Sequence, residues 1–279
     1  MNSKLQPTLN LPQRKILLSS MLIIKPFLLF GVLVSLSCND SASPPKTLQA
    51  NKTADNHFNP YKKVSAIPLP EGFERIAADS NSFAYWLRNI GLKKDKTVYL
   101  YNGTPKTNQT AQFAVLNIPI GNQDLQQCAD AVMRLRAGYL FDAKKFSSIV
   151  FRDNETGVYQ FTEPYTQEHF TKFMERVFAM CGSASLSKQL KSVDIEKIEP
   201  GDVLIRGGFP GHAVIVLDVA VNKDGKKMYM LAQSYMPAQD IHILKNPMNT
   251  DFSPWYELNG ADIIETPEYV FRRDELKGW

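Results

Sequence analysis

A chain of 279 residues with 44% hydrophobic and 22% charged side chains can bury an ordinary globular core, which excludes a wholly disordered protein. Its formal charge of +4 is matched by Lys4, Arg14, Lys15 and Lys25, all ahead of Cys38 where no acidic residue stands, so the rest of the chain is balanced and nucleic-acid binding has no electrostatic support. The four histidines, His57, His169, His212 and His242, are scattered singly, and there is no H-E-x-x-H, C-x-x-C, P-loop or G-x-S-x-G motif, so neither a metal nor a cofactor is expected.

In chain order, Met21 to Ser37 is almost entirely apolar, is too short for a convincing spanning helix and ends in small residues before Cys38. It reads as a signal-peptide core. A thiol exposed by cleavage at Cys38 can carry a diacylglycerol, which gives residues 1–38 as a signal with a lipidation cysteine and a membrane as the first partner. Ser35 stands where Leu is more usual, so cleavage elsewhere or a retained anchor is the alternative, and Met21 is a second possible start. Residues 39–61 are rich in Ser, Pro, Asn, Lys and Thr with little to bury, the composition of a tether.

A single α+β domain is expected over 62–279. Its predicted elements begin with an extended piece at 67–76 and a helix from Ser82, as cap, to Gly91. Strands follow at 97–101, ending at Asn102-Gly103, and at 112–118. Asp124 to Leu140 places Leu125, Cys128, Ala129, Val132, Leu135 and Tyr139 on one helical face. Asp124 with Gln127 resembles a capping box and would put Cys128 in about the second turn, near the positive end of the helix dipole. A hairpin at 147–152 and 158–161, helices at 166–180 and 186–192, and strands at 202–206, 212–221, 227–234 and 240–244 complete the reading. Helices precede strands without βαβ alternation, which disfavours a doubly wound parallel sheet.

The residues able to do chemistry are Cys128, near a helix start, and His212, which opens a strand behind Gly207-Gly208-Phe209-Pro210-Gly211. A cysteine nucleophile acts as its thiolate, whose pKa falls beside a helix N-terminus and a histidine, and the same N–H groups can hold an oxyanion. The glycine-rich turn requires positive φ or close backbone approach at one of its glycines. Structural roles compete. Cys128 lies on an apolar face, where free cysteines are usually packed away, and it could pair with Cys181. Asp202 and Asp218 read as turn and strand-end residues, and His242 as a surface strand position.

Glu199 to Ile205, the glycine-rich turn and Gly211 to Val216 resemble the histidine half of CHAP-type and NlpC-type cell-wall amidases of the papain-like superfamily. Gln127 to Val132 resembles their cysteine half, in the same order along the chain. The whole chain is also similar to an uncharacterised family of bacterial lipoproteins that shares the Gln-Cys-Ala-Asp-Ala segment and Ala232 to Ala238. The amidase resemblance covers about 120–140 and 199–240 and implies a papain-like α+β fold, with the cysteine helix packed on an antiparallel sheet. It implies Cys128 as nucleophile, His212 as base and Gln233 as orienting residue, where the amidases often carry Glu, Asn or His. A glutamine can hold a tautomer but brings no charge. The backbone N–H of Cys128, with Gln126 or Gln127, would line the oxyanion hole.

These readings combine into a membrane-anchored lipoprotein of the bacterial cell envelope that hydrolyses amide bonds in cell-wall peptides. The rival is a non-catalytic envelope lipoprotein of the same fold that binds peptidoglycan, a glycan or a protein. Trp86, Trp255, Tyr235 and Tyr256 would serve such a surface, and the long segment from Phe141 to Glu199 would form a cleft wall or a partner-binding elaboration.

Overall fold

A computed structural model of the chain describes residues 57–279. In chain order these form β1 (Phe73–Arg75), α1 (Phe83–Arg88), β2 (Gln112–Val115), α2 (Cys128–Asp142), β3 (Val150–Arg152), β4 (Val158–Gln160), α3 (Gln167–Met180), α4 (Ser183–Gln189), β5 (Lys191–Ser192), β6 (Val203–Arg206), β7 (His212–Asn222), β8 (Lys227–Gln233), β9 (His242–Leu244), β10 (Trp255–Glu257), β11 (Ile263–Glu265), β12 (Val270–Arg272) and β13 (Leu276–Gly278). The signal segment, Cys38 and all but the end of the expected tether lie outside the described residues.

The main sheet runs β2-β9-β8-β7-β6-β13-β5, with β1 added to β7 and β10 to β8, and its pairings are antiparallel. Two hairpins stand apart from it, β3-β4 and β11-β12. Helices over an antiparallel sheet make this an α+β fold, as expected. β7 is the centre of the layer structure, and its near-continuous apolar run is explained by burial on both faces. Ala213, Ile215 and Leu217 face a core shared with α1, α2, α3 and α4. Val214, Val216 and Val219 face a second core closed by Ile264 of β11 and Phe271 of β12.

α1 begins as its sequence suggests, with the Ser82 hydroxyl accepting the Tyr85 N–H at 3.2 Å. The glycine-rich turn also behaves as expected: Gly208 has φ +126°, and a Cβ at Gly211 would meet backbone oxygens of Gly208 and Arg206 at 2.5 and 2.7 Å. Other expectations are corrected. Residues 97–101 form isolated bridges from Tyr99 to Pro105 and from Leu100 to Gln239 instead of a strand, because Asp240 takes the Tyr99 N–H at 3.1 Å with its carboxylate. The helix expected at 186–192 is displaced to Ser183–Gln189 and is followed by β5. Packed chain starts before residue 62: Asn59 is buried, with its N–H on Lys94 O at 2.7 Å and its amide on Lys93 O at 2.8 Å.

Asp218 is not a strand end. A bulge between Val216 and Asp218 shifts the β7–β8 register, and the fully buried carboxylate takes Arg75 Nε and Arg88 Nε, each at 2.6 Å. Those two arginines, on β1 and α1, explain how a charge sits mid-strand in the core. His242 is likewise interior: β9 is hydrogen-bonded between β2 and β8 inside the sheet, and all three of its residues are buried. The four short strands after residue 244, β10 to β13, are additions to the expected elements.

Candidate active site

Cys128 is the first residue of α2, one turn earlier than the expected capping box would give. The working cap is Gln127 with Asp130, whose carboxylate accepts the Gln127 N–H at 3.0 Å. Asp124 is used elsewhere: its Oδ1 accepts the Ala238 N–H at 2.6 Å and Gln127 Nε2 at 3.1 Å. The Ser234 hydroxyl lies 2.9 Å from the carbonyl oxygens of both Gln126 and Gln239. The segment that delivers Cys128 is therefore fastened to the chain leaving β8.

On the other side of the site, α2 packs on β7, and the N–H groups of Cys128, Ala129 and Ala213 approach the Cys128 sulfur. Ala213 is the neighbour of His212, so cysteine and histidine segments meet at this corner of the sheet. Both side chains are covered, Cys128 to 8% exposure and His212 to 2%. Burial, with the Asp130 carboxylate, pushes the Cys128 thiol up to about 11, and the three N–H groups only partly offset this. That is the reverse of the lowered thiol expected from its helix position, because desolvation outweighs the dipole. Among the described residues no hydrogen bond joins Cys128 to the His212 ring.

His212 Nε2 lies 2.8 Å from Gln233 Oε1. A neighbouring carboxylate decides which end of that amide is which: Gln233 Nε2 donates to Glu268 Oε2 at 2.7 Å, and a carboxylate can only accept. Oε1 therefore faces the histidine, His212 carries its proton on Nε2, and Nδ1 keeps a free lone pair. The second Gln233 amide hydrogen points to His242 Nε2 at 3.5 Å, and His242 Nδ1 donates to Asp240 O at 2.9 Å. Glu268 is held in turn by Lys106 Nζ at 2.5 Å and Asn108 Nδ2 at 3.0 Å.

Rings of Tyr235, Tyr269 and Phe271 surround His212 at centroid distances of 4.7, 4.8 and 5.9 Å. Burial presses its pKa down to about 4, against the Gln233 hydrogen bond and the Glu268 charge. His242 is pressed to about 4 by the same cause, with Lys106 adding to it. The thiol is thus neutral at rest, and the imidazole is a free base at neutral pH.

Of the residues named from sequence, His212 and Gln233 are bonded directly and Cys128 is brought against the residue that follows His212. Gln126 is buried with its Nε2 unpartnered, and Gln127 spends its amide on Asp124. Cys128 and Cys181 are both buried free thiols. Trp255 and Tyr256 are core residues and offer no surface. Glu268, Lys106, Asn108 and His242 were not found from sequence. The one available signal was that Gln233 lacks a charge, which leaves a role for a carboxylate without saying where it stands. No group of three or more His, Cys, Asp or Glu among the described residues could hold a metal, and no helix among them is long and apolar enough to cross a membrane.

No curated protein and no solved structure matches this chain. The family described as Domain of unknown function (4846) matches residues 64–163 and 152–278, nearly the whole described domain, and the chain belongs to that family.

Proposed function

We propose that the chain is a lipid-anchored cysteine hydrolase of amide bonds, built on a papain-like arrangement and acting on peptides of the bacterial cell wall. The observation that carries this reading is the relay Glu268–Gln233–His212, which fixes one imidazole tautomer and leaves Nδ1 as a free base on the residue next to Ala213, whose N–H approaches the Cys128 sulfur. A core histidine needs one satisfied partner. A fixed tautomer backed by a buried carboxylate is what a general base needs.

In the reaction, Nδ1 of His212 takes the thiol proton as Cys128 Sγ attacks the carbonyl carbon. The C–N bond of the tetrahedral intermediate then breaks as the imidazolium protonates the leaving amine. Water activated by the same imidazole cleaves the thioester and returns the thiol. The N–H of Cys128 stabilises the oxyanion. Glu268, acting through Gln233, offsets the imidazolium charge that glutamine alone cannot.

Purified protein incubated with muropeptides should release amine in a manner lost in Cys128→Ala and His212→Ala. No release from any peptide fraction, with both thiols alkylated only after denaturation, would establish the second reading, a non-catalytic envelope lipoprotein. The burial of both Cys128 and His212 favours that reading. Anchoring is tested separately: Cys38→Ala should move the protein from the membrane to the soluble fraction, and retention in the membrane would overturn lipidation.

A further inference from the structure

A cleft of about 290 Å³ opens beside the segment that delivers Cys128, between the loop 119–125, α2 and α3. Leu125, Gln126, Arg134, Gln167, Thr171 and Glu175 line it. Arg134, two turns along α2 from Cys128, lies over the Phe170 ring at 5.5 Å and makes no ion pair or hydrogen bond among the described residues. Asp142 acts on it electrostatically without forming a salt bridge, and Glu175 shares the cleft without pairing with it. A largely buried guanidinium stacked on an aromatic ring keeps its N–H edge for an oxygen ligand.

Independently, Gln126 is 1% exposed and its Nε2 has no partner. Buried donors left unsatisfied are costly in a folded protein and commonly mark a missing ligand oxygen. One cleft therefore gathers a charged and a neutral donor, both unused, on the side of the site where Gln126 precedes the nucleophile.

We infer that this cleft binds a carboxylate of a peptidic ligand, with Arg134 as its charged partner and Gln126 linking it to the Cys128 site. The assignment rests on the hydrolase reading only for the ligand's orientation: the scissile amide sits at Cys128 and the free carboxylate lies along α2 toward Arg134. Substrates would then be peptides that carry an acidic side chain or a free terminus next to the cleaved bond.

The test uses the full-length Cys128→Ala protein, which cannot react, titrated with N-acetylglutamate and with N-acetylglutamine while the side-chain nitrogen signals of Gln126 and Arg134 are followed by NMR. The glutamate should bind about tenfold tighter, since charge-assisted bonds are roughly twice as strong as neutral ones, and should move both signals. Arg134→Gln should reduce the preference to within about twofold, with Arg134→Lys between. Equal binding of the two probes, unmoved signals in the unsubstituted cleft, or an undiminished preference in a folded Arg134→Gln protein would overturn the assignment. Failure of hydrolysis by the wild-type protein would sink the enzyme reading and leave this result standing.

Discussion

Replacing Glu268 with Gln keeps the shape of the side chain and removes the charge on which the relay ends. Glu268 and Lys106 are only 13% and 10% exposed in their side chains, so the change strands a desolvated ammonium beside a neutral amide. Burial already lowers the pKa of Lys106, with the Glu268 bond opposing it, so the lysine loses its main compensation. Breaking one side of a buried pair costs about 3–5 kcal/mol, and the remaining exposure here argues for the lower end. At about 2–4 °C per kcal/mol for a domain of this size, the melting temperature should fall by roughly 6–12 °C. Pairing Glu268→Gln with Lys106→Met removes the stranded charge and should recover most of the loss. Circular dichroism melts of the three variants measure this directly. The functional arm is separate: without the carboxylate, nothing forces Gln233 Nε2 away from His212, so the ¹⁵N spectrum should show His212 losing its single Nε2–H tautomer. A Glu268→Gln protein that melts within about 2 °C of wild type would refute the energetic argument, and an unchanged His212 tautomer would refute the relay.

Ring signals of His212 and His242 should titrate near pH 4, and a midpoint above 6 for either would show that burial is not dominant. Because both folded values lie below the unfolded one, their contribution to stability is fully present above about pH 6.5 and is lost as pH falls toward 4. Asp202, pushed up to about 6 by burial, works in the opposite direction below that pH, and His212→Gln should flatten the acid limb only in part because His242 still contributes to it. Gly211→Val should lower the melting temperature by several degrees as well as impair function, at about 1–3 kcal/mol for a clash with backbone oxygens that cannot swing aside. Stability equal to wild type would mean that the turn relaxes. Asp218→Asn should cost about 3–5 kcal/mol by leaving Arg75 and Arg88 without their carboxylate, whereas Asp224→Asn in the exposed turn should stay within about 0.5 kcal/mol. Urea unfolding of the pair decides it, and similar midpoints would refute the buried-charge account.

The sequence by itself determined those features whose causes are local. A serine cap set the start of α1, Thr166 accepts the His169 N–H to begin α3, and Asn222 with Gly225 turns β7 into β8. Val and Ile runs marked β6 and β7, and the apolar run Met228 to Ala232 marked β8, because a strand buried on both faces must be apolar throughout. The same pattern put His212 at a strand start behind glycines, with Gln233 on the neighbouring strand. Tertiary structure alone decided the rest. Asp130 displaced Asp124 as the capping partner because Asp124 was drawn to Ala238, more than a hundred residues away. Asp218 and His242 were buried because Arg75, Arg88 and the flanking strands supply partners and cover that no local pattern announces. Glu268 joined the site from a turn between β11 and β12, through an amide 35 residues distant in the chain. The thiol rose instead of falling because its pKa answers to how much water the assembled core excludes, and helix position sets only a part of that.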